Sequence, residues 1–488
     1  MTDPSESGRT DGPGAADGAA PAASDTSAST DGPRADVSSY RGEATPERLR
    51  EIARYFIYIG IVGFGGPLVH IAMMEDDLVD DDPDDPASDG WTDQSTFMEG
   101  LAICNTLPGP ASTQLGIFMG WVRGGNLGAL VAGGAFMLPT FLLVVLFSWI
   151  YFAFQAVPSV EAFFYGINPV VIGLIVGAAW SMGQSALAEG RTDAEFEVRG
   201  DSWQVDFLLL VLLVATILVT VLVNPNPVVA FVAAGLVAVA LYRSGWVRAN
   251  RRAVSVGAVV GTVVAATYAA RDRLLDLLGP SARAALEASP IWGVLLLLWS
   301  NTWVQLFAFM LYTGSFIYGG GLVLIPFIEK YVVNEFAWMT AREFVDGVAI
   351  GQLSPGPVVM TTAFVGYKVL LDASGGLLAV AVLGALVATI GAFGPSFVFI
   401  MGFFPYFARV RENDVVQTAL KGVNAAVVGA ILGATVTLAR ESFVVDGVLD
   451  PLTVVLAAVT FVLFLKGVDA VYLIFGGGGI GMAAFFLL

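Results

Sequence analysis

The sequence predicts an all-α polytopic membrane protein built from two inverted-topology repeats with broken helices, with about 13 transmembrane spans. Three observations predict it. The 488 residues are 56% hydrophobic and 14% charged, with a mean hydropathy of +0.74, more apolar surface than a soluble fold can hide. Hydrophobic windows long enough to cross a bilayer follow one another along most of the chain. Two Pro-Gly-Pro breaks, Leu107-Pro108-Gly109-Pro110 and Ser354-Pro355-Gly356-Pro357, interrupt such windows at matching places in two similar halves.

The duplication can be followed position by position. Leu107 pairs with Ser354, Trp91 with Trp338 and Phe97 with Phe344 at one constant offset. Upstream, Gly65-Gly66 pairs with Gly319-Gly320 and Glu75 with Glu329 at a longer offset, because the acidic Asp80–Asp89 loop lengthens the first half. Downstream, Pro139 pairs with Pro395 and Gly166-Ile167-Asn168 with Gly422-Val423-Asn424. Self-similarity of this kind marks an internal repeat. It divides the chain into an acidic, disordered cytoplasmic tail (1–46), a first repeat (47–188), a linker with about three transmembrane helices (189–302), a second repeat (303–440) and a C-terminal helical hairpin (441–488).

Candidate spans lie near 52–74, 96–121, 126–154, 163–187, 206–223, 227–243 and 253–270. The second repeat continues through 305–328, 343–367, 376–404 and 418–439, followed by 450–466 and 469–488. About seven spans separate the two equivalent starting points, an odd number, so the second repeat is expected to be inverted relative to the first. Arg48, Arg50, Arg54, Arg123, Arg243, Arg248, Arg251 and Arg252 fall on connections that this count places inside, which puts the N-terminus in the cytoplasm. The Asp-rich loop and the Asn224-Pro225-Asn226-Pro227 turn carry no Lys or Arg and fall outside.

The net charge of −18 is concentrated in the tail and the Asp-rich loop. Block charges of one sign stay hydrated, so these read as a solvated surface suited to high salt, as in a halophile, rather than as a cation site. The lone cysteine, Cys104, lies in a hydrophobic segment and reads as a small core residue. No disulfide framework, metal site or bound cofactor is expected.

The chemistry is carried by breaks in four spans. Gly63-Phe64-Gly65-Gly66-Pro67 interrupts the first window, with Gly319-Gly320-Gly321 as its partner, and the two Pro-Gly-Pro motifs interrupt the windows that follow. Proline removes a backbone donor and glycine tolerates unwound geometry. Pro110 and Pro357 suit the first position of the helices that follow. The next N–H groups, Ala111 to Thr113 and Val358 to Met360, would then be unsatisfied at a positive helix end inside the membrane. An anion is the natural acceptor. Ser112, Thr113 and Gln114 in the first half and Thr361 and Thr362 in the second are the side chains that would assist, with Asn105 and Gln352 on the other flank of each break. Arg123 and Lys368 follow the breaks and are expected at the interface as anchors or access charges. His70 reads equally as a packing residue or a pH-responsive one, and Glu75 and Glu329, matched at span ends, are expected to be solvated at the interface. These three are the candidates for a coupling role; Glu99 and Asp346 form a further matched acidic pair.

At these residues the sequence resembles the chromate ion transporter family in its long, two-domain form. The resemblance rests on Phe64-Gly65-Gly66-Pro67 followed by His70-Ile71-Ala72-Met73-Met74-Glu75, on Trp91, and on Pro108-Gly109-Pro110 with Ser112-Thr113. In the second half it rests on Gly351-Gln352-Leu353-Ser354-Pro355-Gly356-Pro357, on Thr361-Thr362-Ala363-Phe364 and Gly366, and on Pro395-Ser396-Phe397. Where the family commonly reads Pro-Gly-Pro-Asn-Ser-Thr-Glu, this chain has Ala111 and Gln114 and so lacks the amide and the carboxylate. The resemblance implies export of chromate across the plasma membrane, conferring resistance, in exchange for or in competition with sulfate, with a proton gradient as one energy source. The residues by themselves reach a transporter of small oxyanions, because chromate and sulfate share charge and shape. The expected partners are chromate or a related oxyanion and the lipid bilayer, with no nucleic acid; a homodimer stays open. Sulfate import is the alternative within the same architecture. A membrane reductase would need paired cysteines, a haem-ligating histidine pair or a nucleotide domain that the chain lacks, and a purely structural scaffold would leave the polar residues after both breaks unexplained.

Overall fold

The computed structural model describes residues 41–80, 90–188, 194–198, 201–250, 299–318, 320–404, 406, 413–445 and 447–487. The tail up to residue 40, most of the Asp80–Asp89 loop, the expected span at 253–270, Arg251, Arg252 and Gly319 lie outside the described residues.

The first repeat opens with helix α1 (Pro46–Val62), whose Thr45 side chain accepts from the Arg48 N–H at 3.3 Å and so caps the end that Pro46 begins. It stops at Gly63. The chain crosses Gly65 and Gly66 at positive φ and resumes as α2 (Pro67–Leu78), so the window read as one interrupted span is two helices. Helix α3 (Gln94–Cys104) is capped by Asp93, then the Pro-Gly-Pro break leads into α4 (Ala111–Phe154), followed by α5 (Pro158–Ala188). The long run of α4 contains a reversal at Gly124-Gly125. A methyl group on Gly120 would strike Ala132 and one on Gly133 would strike Ile117, contacts that a straight helix could not make. The windows 96–121 and 126–154 are therefore separate helical segments folded against each other, and the first returns to the side it left, since Arg123 at its end and Trp91 before its start both meet Glu51.

Helices α6 (Phe207–Val223), α7 (Pro227–Tyr242) and the short α8 (Ser244–Ala249) follow. The second repeat runs through α9 (Thr302–Phe316), a break, a 3₁₀ turn (Gly321–Val323) and α10 (Leu324–Ile328), which widens into a π-helical stretch (Glu329–Glu335). Helix α11 (Ala341–Leu353) starts with a reciprocal capping box between Thr340 and Glu343. After the second Pro-Gly-Pro come a 3₁₀ turn (Val358–Met360), α12 (Thr361–Ala373), α13 (Leu378–Val398) and α14 (Asp414–Phe443). Helices α15 (Pro451–Leu465) and α16 (Ala470–Leu487) end the chain. Pro110 and Pro357 sit one position earlier than expected, as caps rather than first helical residues. Two short antiparallel ladders, Ala194–Val198 with Asp201–Val205 and Val444-Val445 with Val448-Leu449, lie between α5 and α6 and between α14 and α15.

Five helices, α4, α5, α13 (with its π-helical end), α14 and α16, are long and apolar enough to cross a membrane, and α6, α7 and α15 are shorter apolar helices. The protein is a multi-pass membrane protein. Matching elements pack in matching ways: α1 lies on α4 as α9 lies on α13, α5 and α14 pack on each other, α6 and α7 pack on α14, and α15 and α16 pack on α5. Small residues permit the closest approaches. A methyl on Gly366 would strike the Gly384 carbonyl of α13, and one on Gly166 would strike Gly477 of α16.

Candidate functional site at the crossed helix breaks

The four breaks meet in pairs, and each pair joins one half of the chain to the other. The Gly109 N–H donates to the Ile317 carbonyl at 2.6 Å, and the Gly356 N–H donates to the Gly63 carbonyl at 3.3 Å. Ile317 and Gly63 occupy equivalent places in the repeat, as do Gly109 and Gly356. The same reciprocity holds for side chains. Thr140 of α4 donates its hydroxyl to the Pro355 carbonyl, and the equivalent Ser396 of α13 stands against Gly109. Gly109 (φ +135°) and Gly356 (φ +97°) adopt backbone conformations that favour glycine. A Cβ would also collide with Gln114 and Ser396 at the first, and with the Thr140 hydroxyl at the second.

Both helices that leave the Pro-Gly-Pro motifs begin without a side-chain cap. Their hydroxyls are used differently. In the second half Ser354, Thr361 and Thr362 donate to the carbonyls of Gly351, Val358 and Val359 at 2.7, 3.0 and 2.8 Å. At the first Pro-Gly-Pro break, Ser112 and Thr113 of the first half and Ser396, which reaches it from the second, are buried with no hydrogen-bond partner for their hydroxyls. A buried hydroxyl without a partner costs roughly 1–3 kcal/mol, so three around one uncapped helix start make a strained donor set that an anion would relieve. Gln114 folds its amide back onto the Pro108 carbonyl at 2.6 Å and braces the break, leaving its Oε1 unpartnered.

Beside this contact lies a polar cavity of about 270 Å³, lined by Asn105, Thr106, Tyr318, Gln417, Leu420, Lys421 and Asn424. Asn105 and Thr106 directly precede the first Pro-Gly-Pro, and Tyr318 directly follows the carbonyl that receives the Gly109 N–H. With liquid water at ~30 Å³ per molecule, that volume holds a small oxyanion together with several waters. Lys421, a half-buried residue of α14, is the cation among the lining residues. Among the described residues the lysine ion pairs use Lys330 and Lys368, and none uses Lys421.

The family model described as "Chromate transporter" matches residues 50–241 and 304–482. The chain belongs to the chromate transporter family. It is 30% identical to the chromate transport protein of Cupriavidus metallidurans over 90% of this chain and 94% of that protein. It is 29% identical to the probable chromate transport protein of Synechococcus elongatus (81% and 85% covered), and 30% identical to the chromate transport protein of Pseudomonas aeruginosa (82% and 83% covered). No solved structure matches it. Each half of the family match takes in a following helical pair, α6 with α7 and α15 with most of α16.

The remaining residues singled out from the sequence of this family member fall into distinct settings. Gly65, Gly66 and Pro67 form the turn into α2, and Gly320 the matching turn of the second half; Gln352 lies in the last turn of α11, before Ser354-Pro355-Gly356-Pro357. His70 is fully buried, with Nε2 2.7 Å from the Gly63 carbonyl and its ring edge-on to Phe136, so it locks the first break, while Nδ1 has no partner. Glu75 accepts from Gln94 at 2.8 Å in an exposed position. Glu329, expected to be solvated, is instead buried and accepts from Asn334 and Asn224 at 2.8 and 3.2 Å, because the wider π-helical turn carries it inward against the α6–α7 turn. Arg123 pairs with Glu51 at 3.0 Å over the Trp91 ring, and Lys368 pairs with Glu343 and Asp372 at 3.0 and 2.9 Å. Neither is left to serve as a free cation. Cys104 is buried in the core.

Sequence reasoning missed Lys421 and Thr140, and it quoted Ser396 only within Pro395-Ser396-Phe397, without a role at the break. One signal was present for the lysine: at the repeat position before Gly-x-Asn, the first half has Tyr165 and the second Lys421.

Proposed function

We propose that this chain is a secondary transporter that exports chromate across the plasma membrane and so confers chromate resistance. The oxyanion binds at the first Pro-Gly-Pro break. The carrying observation is the cluster there: an uncapped helix start, three buried hydroxyls without partners (Ser112, Thr113, Ser396), and the adjoining cavity with Lys421 as its cation. Tetrahedral oxyanions take several short N–H and O–H donors at once, which suits a helix end with hydroxyls, and the lysine supplies long-range attraction. The names of the relatives favour chromate among such ions.

In this reading the two repeats are inverted, the N-terminus is cytoplasmic, and the crossed Gly109–Ile317 and Gly356–Gly63 contacts lie near the middle of the bilayer as the point about which the halves rock. Gly65-Gly66-Pro67 and Gly320 supply the unwound backbone that lets the breaks meet. The second break, with Gln352, Thr361 and Thr362, is the structural counterpart whose hydroxyls have been internally satisfied. Transport of labelled chromate into inverted membrane vesicles tests the proposal: accumulation that sulfate competes against is expected, and vesicles that move neither ion would refute it. Accumulation of sulfate alone would favour a sulfate carrier of the same architecture.

A further inference from the structure

Away from the anion cavity, a second polar site lies buried between α4, α5 and α11. Asp346 is 1% exposed. Its Oδ2 accepts from the Tyr151 hydroxyl at 2.6 Å, while its Oδ1 and the Oδ1 of buried Asn168 have no hydrogen-bond partner. Asn168 stands beside the same carboxyl, and the charges acting on it are Arg342 and Glu343 of its own helix. Both are already committed, Arg342 to Glu161 at 3.5 Å and Glu343 to Lys368 at 3.0 Å. From the other elements packed on α11, Lys368 and Asp372 of α12 pair with each other, Lys330 and Glu335 of the π-helical stretch pair with each other, and Glu329 is held by Asn224 and Asn334. Helix α16 contributes no acid or base other than exposed Tyr472, and of the charged residues of α14, Asp414 pairs with Arg243, Lys421 lines the anion cavity, and Arg440 and Glu441 lie in its last turn. Among the described residues Asp346 is thus a carboxyl without an ion-pair partner inside a membrane protein, which is costly unless something neutralises it.

The repeat sharpens the point. Asn168 is equivalent to Asn424 and Asp346 to Glu99. In one half the asparagine lines the cavity with Lys421, and in the other it sits beside a buried acid. The two equivalent asparagines thus stand in different settings, one on the cavity with Lys421 and one beside a fully buried acid. The open acceptors on the acid side are two oxygens, too few to coordinate a hard metal ion. We propose that Asp346, with Tyr151 and Asn168, is a proton-binding site that couples proton movement to oxyanion transport. An O–H bond forms at Asp346 Oδ1 with a proton taken from water on one side of the membrane, and breaks with release to the other. The inference rests on the transporter reading above.

The purified full chain in liposomes, loaded with a pH-sensitive dye, tests it. Chromate movement should carry protons, and a pH step should give an infrared carboxyl band that Asp346→Asn removes. In Asp346→Asn the proton flux should fall by about tenfold or more, while chromate-for-chromate exchange falls much less. Wild-type proton flux in that variant overturns the proposal, as does transport driven by sodium and indifferent to pH. Loss of exchange together with proton flux in a folded variant also counts against it, as the mark of a structural role. If Asp346→Asn does not fold, Asp346→Glu and Tyr151→Phe take its place: each should shift the pH profile of proton flux, and unmoved profiles overturn the site. Should the wild type move no chromate, the oxyanion reading fails, and the infrared band still decides the proton site by itself.

Discussion

Gly109 is where backbone conformation, packing between halves and the proposed anion site converge. Its φ of +135° and the atoms of Gln114 and Ser396 leave no room for a side chain. A strained backbone of this kind costs about 1–3 kcal/mol before any collision is counted. Gly109→Ala is therefore expected to reduce chromate transport by about tenfold or more, whereas Gly134→Ala, where a methyl meets nothing within 4 Å, should leave it within about twofold. Initial uptake rates at equal membrane expression check this, and equal rates would contradict it. Lys421 gives a second test. Lys421→Gln should raise the KM for chromate by about tenfold, equivalent to about 1.4 kcal/mol, with Lys421→Arg restoring most of it. At this scale the sequence disclosed the prolines and glycines of the breaks, because they punctuate a helical pattern by themselves. It did not disclose Ser396, Thr140 or Lys421, whose roles depend on which distant break each one faces.

At the scale of elements, most helices were legible because apolar windows and their caps coincide: Asp206, Asn226, Asn301 and Asp450 each cap a helix that begins at the next residue. The reversal inside α4 was legible too, from Arg123-Gly124-Gly125-Asn126 between two apolar runs. The π-helical turn that buries Glu329 was not, since it arises from tertiary packing rather than from a local signal. The close approach of α12 and α13 at Gly366 and Gly384 is a further element-level commitment. Gly366→Leu should overpack it and destabilise the protein by about 1–3 kcal/mol, read as an earlier thermal transition of the detergent-purified chain. An unchanged transition would mean that the helices can separate there without loss.

For the whole molecule, the reciprocal hydrogen bonds Gly109–Ile317 and Gly356–Gly63 tie the two halves together at their matched breaks. Inversion across the membrane is a further step. With inversion, single cysteines at Glu75 and Glu329 react with a membrane-impermeant maleimide from opposite sides of the bilayer, Glu75 from the side of the Glu51–Arg123 pair and Glu329 from the side of the α6–α7 turn, the reverse of the sides the span count gives. Labelling from one side only would refute it. What the sequence could not convey is the different bonding of the two similar halves, because hydroxyls at equivalent breaks look alike until their partners are seen. Ser112 and Thr113 are open, while Thr361 and Thr362 are tied to their own backbone. The most direct measurement is therefore chromate affinity in two sets of variants of the purified chain. Ser112→Ala, Thr113→Val and Ser396→Ala together should weaken binding by about tenfold or more, and Thr361→Val with Thr362→Val should change it by about twofold or less. Equal losses in both sets, or a loss only in the second, would contradict an anion site at the first break.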